Sequence, residues 1–119
     1  MTLKRPGSLL VSRVEKIPDN ALVVRGERNL PEDIQRGTGI HPSGVTGISV
    51  ECAEGVSIGE LCIAIPHWKV GVTTVGEVRR YGGDVIRTSG RTSYHATLTG
   101  LTPKQASRLL TPVTQNPAQ

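Results

Sequence analysis

Four short stretches of this sequence carry the same signal for the start of a helix. Asn29, Ser57, Thr74 and Thr102 each stand three residues before a Glu or Gln. In such a capping box the first side chain accepts a hydrogen bond from the amide of the third helical residue, and the Glu or Gln side chain bonds back to the N–H of the cap. Glycine or proline soon follows three of the four boxes, so the helices are expected to be short. They are predicted at 30–36, 58–65, 75–81 and from 103 onward.

Between the helix signals lie runs in which polar and apolar residues alternate and β-branched residues are frequent, a pattern typical of half-buried strands. These runs are 21–25, 47–51, 70–73, 84–87 and 95–99, and a further strand is indicated around 9–14. Short helices need a surface to dock on. The expected fold class is therefore α+β, a small, twisted, mainly antiparallel sheet with four short helices packed on it. One compact domain is predicted over 1–111, followed by a flexible polar C-terminal tail at 112–119.

The charge and cysteine content narrow the function classes. The formal net charge is +4 and the sequence pI is about 9.5, which favours partners that carry phosphate or acidic groups. Two cysteines and three histidines, without metal-ligand spacing, predict neither a disulfide framework nor a metal site. No apolar run approaches the length of a bilayer span, and the N-terminus lacks a signal-peptide pattern. A cytoplasmic protein without membrane partners is expected, with delivery into a target cell left open.

Strand alternation predicts where polar side chains could gather. In the segment 95–99, His95 and Thr97 share one face of the strand, and in 47–51 Ser49 and Glu51 share one face. If the strands are neighbours, these four residues and Arg25 could meet on one side of the sheet. Register is not readable from the sequence, so this meeting is a hypothesis.

Basic and aromatic residues near these strands suit a phosphate-bearing substrate. Arg87, Arg91 and Tyr94 closely precede His95, and Lys69 begins another strand. Guanidinium groups bind phosphate in a bidentate manner, and histidine exchanges protons near neutral pH. In RNA cleavage without metal, the imidazole would serve as general acid or base and arginine would stabilise the charge on phosphorus. The candidate catalytic residues are His95, Thr97 (orienting the imidazole or the phosphate) and Arg91, and the candidate substrate-binding residues are Arg25, Arg87, Tyr94, Lys69 and Ser49.

The small size, basic charge, short α+β elements and the segment YHATLTGLTP at 94–103 resemble small toxin domains of bacterial toxin–antitoxin and polymorphic toxin systems. Within that group, the resemblance to barnase, colicin and RelE-like ribonucleases implies a metal-independent endoribonuclease that cleaves cellular RNA. It implies no cofactor, and it implies an acidic antitoxin or immunity protein as partner.

Other function classes fit the same residues. LVVRGE at 22–27 resembles the first strand of ADP-ribosyltransferases, which implies an NAD contact for Arg25. GISVE followed by SIGEL resembles their strand–helix unit, with Ser49 at its serine. The catalytic acid that this family carries on a late strand is missing, because HATLT has His95 and Thr97 there.

Two further classes remain open. His95-Ala96-Thr97 matches one half of the motif of the two-histidine phosphoesterases, but Pro42 makes the second half, 41–43, poorly suited to a central strand. A non-enzymatic module that binds nucleic acid or protein through its basic loops is also open.

Overall fold

The computed structural model describes residues 15–119, in which seven strands and four helices follow one another. The helices are α1 (Pro31–Gly37), α2 (Ile58–Cys62), α3 (Val75–Arg80) and α4 (Pro103–Leu109). The strands are β1 (Leu22–Gly26), β2 (Gly39–Ile40), β3 (Thr46–Ala53), β4 (Lys69–Thr74), β5 (Asp84–Arg87), β6 (His95–Thr99) and β7 (Thr114–Gln115). Within this range no helix has the length and apolar character required to cross a bilayer. The strand indicated at 9–14 lies outside the described residues.

All strand pairs among the described residues are antiparallel, and the order across the sheet is β5-β6-β3-β1-β4-β7, with the short β2 beside β3. The predicted α+β class, a mainly antiparallel sheet with four short helices, is confirmed. The two central strands, β3 and β1, are the ones that carry Ser49, Glu51 and Arg25.

The two faces of the sheet are covered unequally. On one face, α1, α3 and α4 bury an aliphatic core that includes Val23 of β1 and Val50 of β3. On the other face, α2 covers a smaller cluster around Val24 and Leu61. Burial of such aliphatic side chains contributes roughly 1.5–3 kcal/mol each. Because α2 is short, it leaves the part of this face formed by β3 and β6 partly open, and the polar side chains of these strands lie there.

Three of the four predicted N-caps form, and that of Thr102 also has the return hydrogen bond that completes the capping box. Ser57, Thr74 and Thr102 each accept a hydrogen bond from the amide three residues later, at 3.1, 3.2 and 3.1 Å. The fourth prediction was wrong by one residue, because α1 is capped at Leu30. The side chain of Asn29 is buried and donates to the carbonyl of Arg25 at 3.0 Å, so it closes the loop between β1 and α1.

The C-terminal segment, predicted as a flexible polar tail at 112–119 beyond a domain at 1–111, is docked on the sheet in the structure. Thr114 and Gln115 pair with β4, and Asn116 is fully buried. The Asn116 amide group donates to the carbonyls of Ile65 at 3.1 Å and His67 at 2.8 Å. The polar side chain of Asn116 makes hydrogen bonds to backbone carbonyls instead of facing solvent. Polarity alone therefore gave the wrong expectation for this residue.

A buried carboxylate ties α1 to the loop before it. Asp33 is 2% exposed, accepts from Arg28 at 3.0 Å and from the amide of Leu30 at 3.2 Å, and is also bound by Arg36. The hydrogen bond from Arg28 lowers the pKa of Asp33 more than burial raises it, and Arg36 lowers it further.

The stability of the fold is therefore expected to fall in acid through Asp33. Because its pKa is lower in the folded than in the unfolded chain, the contribution is present above the unfolded value of about 4 and is lost as the pH falls through the folded pKa. Thermal melting of wild type and Asp33→Asn at falling pH should give a shallower decline for the variant. Glu32→Gln, at the neighbouring exposed position, is the control. Parallel curves for wild type and Asp33→Asn would contradict this role.

Candidate functional site

A polar surface forms where β3 and β6 pair. The register places Ser49 opposite Thr97 and Glu51 opposite His95. Directly opposed residues on antiparallel strands project to the same face. The predicted meeting of these four residues on one face is therefore confirmed.

Arg25 reaches this region differently from the prediction. Val24, not Arg25, is paired with Glu51, so alternation along β1 turns Arg25 toward the other face. The prediction that all five residues project from one face was wrong for Arg25. Its guanidinium nevertheless donates from Nη1 to the carbonyl of Ser49 at 3.5 Å. Burial lowers the pKa of Arg25, against the opposing effects of Glu27 and Asp33.

A polar cleft runs along β3 between the segment after α2 and the loop before β6. Its first part lies between β1, β3 and residues 64–67, and its second part lies between β3 and the loop at 90–91. Ser49, Glu51 and Ala64 line both parts, so the two are continuous. The polar residues that line the cleft are Arg25, Ser49, Glu51, His67, Arg91 and His95.

Glu51 supplies a carboxylate at the middle of the cleft. One oxygen, Oε1, accepts a hydrogen bond from the hydroxyl of Thr92 at 2.6 Å, and the other makes no hydrogen bond within residues 15–119. The sequence placed Glu51 on this face but gave no reason to include it in the site. Its position across from His95 is the reason, because a carboxylate and an imidazole can exchange protons with one bound substrate.

The imidazole of His95 contacts Thr88 directly and Thr97 through Thr88. Its Nδ1 lies 3.0 Å from the hydroxyl and 3.2 Å from the carbonyl oxygen of Thr88. The hydroxyl of Thr88 lies 2.9 Å from that of Thr97, and both threonines are buried. Thr97, predicted to orient His95 or a phosphate, therefore contacts the imidazole through Thr88. The sequence gave no signal for Thr88, since only the pairing of β5 with β6 brings it there.

A second imidazole lies beside the first. The ring centroids of His41 and His95 are 5.8 Å apart, and their planes are inclined by 31°. His41 comes from the loop after β2 and lines a small depression next to the cleft together with Ser49 and Thr97. The sequence analysis considered His41 as part of an incomplete two-histidine motif, and the structure places its ring beside that of His95 at the edge of the site.

The guanidinium of Arg87 makes hydrogen bonds to backbone carbonyl groups. Its Nη1 donates to the carbonyls of Cys52 at 2.8 Å and Tyr94 at 2.9 Å, and its Nε donates to Glu15 at 3.3 Å. It borders a separate depression and not the polar cleft. The structure thus does not bring Arg87 to the substrate-binding position predicted for it.

Tyr94 and Lys69 also lie apart from the cleft lining. The Tyr94 hydroxyl donates to Glu60, and this hydrogen bond raises the pKa of Tyr94. Lys69 is exposed at the start of β4 and is paired with Gln115. Of the basic residues predicted to bind substrate or catalyse, the structure brings Arg25 and Arg91 to the cleft and places Arg87 and Lys69 elsewhere.

Comparison of the chain with models of protein families, with curated proteins and with solved structures gives no match. The chemistry of the polar cleft is therefore the basis for a functional proposal.

Proposed function

We propose that the protein is an enzyme of the ADP-ribosyltransferase type that binds NAD as a substrate in the polar cleft. The observation that carries the proposal is the meeting of Arg25 and Ser49. The resemblance assigns these residues to NAD binding, and they come from paired central strands, joined by the hydrogen bond from Arg25 to the Ser49 carbonyl. Both line the same part of the cleft.

The residues of the cleft fit the chemical groups of NAD. The positive charge of Arg25 suits the diphosphate, and its Nη1 lies 3.5 Å from the carbonyl oxygen of Ser49, whereas its Nε is buried. The exposed guanidinium of Arg91 at the other end of the cleft adds positive charge. Ser49, exposed between the two ends, offers a hydroxyl to ribose or amide groups.

We assign to Glu51 the role of the catalytic acid that is missing from the late strand. The late strand is β6, and at its start stands His95, whose direct partner on β3 is Glu51. A carboxylate is therefore present in the cleft, although the neighbouring strand supplies it. A negative charge at this place stabilises the positive charge that develops on the ribose as its bond to nicotinamide breaks.

The reaction balances with the groups that the chain provides. The bond between ribose C1′ and the nicotinamide nitrogen breaks, and its electron pair leaves with nicotinamide. A new bond forms from C1′ to an oxygen or nitrogen of the acceptor, or of water if NAD is hydrolysed. The proton released by the acceptor passes to a base in the cleft, for which the candidates are His95 and Glu51.

A metal-independent endoribonuclease is the second candidate, and a specific observation favours it. His95 and Glu51 are directly opposed and can serve as the acid and base of RNA cleavage, with Arg91 as the cation near phosphorus. Fewer cations support this reading than the sequence predicted, because Arg87 and Lys69 lie elsewhere. Under either proposal, the protein is a small bacterial toxin that acts in the cytoplasm, and an acidic antitoxin or immunity protein covers its cleft. The third reading is a binding module without catalysis.

An Arg25→Lys variant separates these functions. We expect purified protein with labelled NAD and cell extract to release nicotinamide and transfer label. Arg25→Lys is expected to lower both by about 10- to 100-fold, because lysine keeps the charge but loses the bidentate geometry of the guanidinium. The control is Arg108→Lys, an exposed arginine on α4 that forms no ion pair within residues 15–119, with thermal melting to verify folding.

The same preparations are incubated with cellular RNA. RNA loss that His95→Ala abolishes, without release of nicotinamide, would contradict the NAD proposal and favour the endoribonuclease. If neither RNA nor NAD is consumed, the binding module remains.

A further inference from the structure

The two neighbouring imidazoles differ in the atoms that surround their nitrogens. A neutral imidazole carries its proton on one nitrogen and a lone pair on the other. An N–H group next to a ring nitrogen requires a lone pair there, and a carbonyl oxygen requires a proton. These requirements determine the tautomer of each ring.

His41 is bound on both sides. Its Nδ1 accepts the backbone N–H of Ser43 at 2.9 Å, so Nδ1 holds the lone pair. Its Nε2 lies 2.7 Å from the carbonyl oxygen of Ser89, so Nε2 carries the proton. His41 thereby joins the loop after β2 to the loop before β6, and neither nitrogen is left for a substrate.

His95 is bound on one side. Its Nδ1 faces the carbonyl and the hydroxyl of Thr88, and the carbonyl can only accept. Nδ1 therefore carries the proton, and the hydroxyl of Thr88 is free to donate to Thr97. In the neutral ring the lone pair is then on Nε2, which makes no hydrogen bond within residues 15–119, while the ring lines the polar cleft.

The burial of the threonines separates this arrangement from that of an ordinary surface histidine. Thr88 is 7% exposed and Thr97 is 3% exposed. Hydroxyl groups shielded from water need hydrogen-bond partners within the protein. The hydroxyls of Thr88 and Thr97 are partners of each other, and that of Thr88 also contacts the imidazole of His95. The hydrogen bonds limit the rotation of the ring as well as its tautomer.

We propose that Thr88 holds neutral His95 in the Nδ1–H tautomer, so that Nε2 accepts a hydrogen bond or a proton from a ribose hydroxyl group in the cleft. Thr88 is a positioning residue and His95 is the group that touches substrate. The identity of the ligand rests on the proposed function, because the hydroxyl belongs either to a ribose of NAD or to the 2′ position of RNA. The chemistry at Nε2 is the same for both.

Nuclear magnetic resonance of the full chain with ¹⁵N-labelled histidine tests the tautomer directly. At about pH 8, where imidazole is neutral, long-range proton–nitrogen correlations distinguish the protonated from the unprotonated ring nitrogen. We expect the proton on Nδ1 of His95 and on Nε2 of His41, with signals assigned through His95→Gln and His41→Gln. A proton on Nε2 of His95 would overturn the proposal even if NAD is consumed.

Thr88→Val tests the positioning role. Without the hydroxyl, the fraction of His95 with its proton on Nε2 is expected to rise measurably, whereas Thr88→Ser should behave like wild type. An unchanged tautomer ratio in a folded Thr88→Val protein would overturn the role of the Thr88 hydroxyl and show that the carbonyl alone holds the tautomer. His41 provides the internal reference, because its partners are the same in all of these variants.

Ligand titrations then distinguish the two sources of the hydroxyl. We expect NAD to shift the Nε2 resonance of His95, and a ribodinucleotide to leave it unchanged. A shift with the ribodinucleotide but not with its 2′-deoxy analogue would assign the hydroxyl to RNA. No shift with either ligand would overturn the substrate contact and leave the tautomer result standing by itself.

Discussion

Replacing Glu51 by glutamine is expected to lower nicotinamide release from NAD by about 100- to 10,000-fold, the range for loss of a positioned catalytic carboxylate. Glutamine keeps the shape of the side chain and can still accept the hydrogen bond from Thr92, so the fold should be preserved. What the variant loses is the negative charge in the cleft. That charge matters most when positive charge develops on the ribose, and the effect should therefore appear in kcat more than in KM.

Two other variants make this experiment specific. Glu54→Gln removes a carboxylate from the exposed end of the same segment and should leave the rate unchanged. Thr92→Val removes the partner of Oε1 and should lower the rate less than Glu51→Gln does, because the charge remains. Equal rates for wild type and Glu51→Gln, with NAD turnover intact, would show that the carboxylate has no catalytic part.

The faces on which Glu51 and His95 lie could be predicted from the sequence, whereas their direct opposition depends on the register and required the structure. Alternation in the segments 47–51 and 95–99 determines which side chains share a face, and the structure pairs those strands. The bounds of β5 and β6 agree with the prediction residue for residue. These features are local, since a period of two depends only on the backbone of each strand.

The predictions that were wrong concern residues whose positions are determined by tertiary contacts. In the loop after β1, Glu27 and Asn29 have φ values of 79° and 59°, which residues other than glycine rarely adopt. Asn29 accordingly serves the loop and not the helix cap. Arg87 and Arg25 have long side chains whose direction depends on which carbonyls the fold leaves within reach, and no spacing in the sequence encodes that.

Thr88 and His41 show the same limit at the candidate site. Each lies in a segment with little strand or helix signal, and each becomes part of the site through a neighbour distant in sequence. Thr88 meets His95 through the pairing of β5 with β6, and His41 meets Ser89 across two loops. The partners of His95 therefore required the three-dimensional structure, although His95 itself did not.

Replacing Asn116 by alanine is expected to destabilise the fold by about 1–3 kcal/mol, because a fully buried amide side chain is lost, and with it the donor to the His67 carbonyl and the acceptor for the Ala118 amide at partly buried positions. Ile65 retains a second donor, the side chain of Gln119 at 3.2 Å, which limits the loss. Denaturant unfolding should show a lower midpoint with an unchanged slope. The matched control is Gln115→Ala, one residue earlier and exposed, which should change stability by less than about 0.5 kcal/mol.

Asn116→Ala should also affect the polar cleft. Residues 65–67, which Asn116 holds, form one wall of its first part, opposite Arg25 and Ser49. Loosening this wall is expected to weaken NAD binding in Asn116→Ala under conditions where the protein remains folded, and Gln115→Ala should bind as wild type does. If Asn116→Ala loses stability but binds NAD with unchanged affinity, the C-terminal segment supports the fold alone and the wall at 65–67 takes no part in holding the substrate.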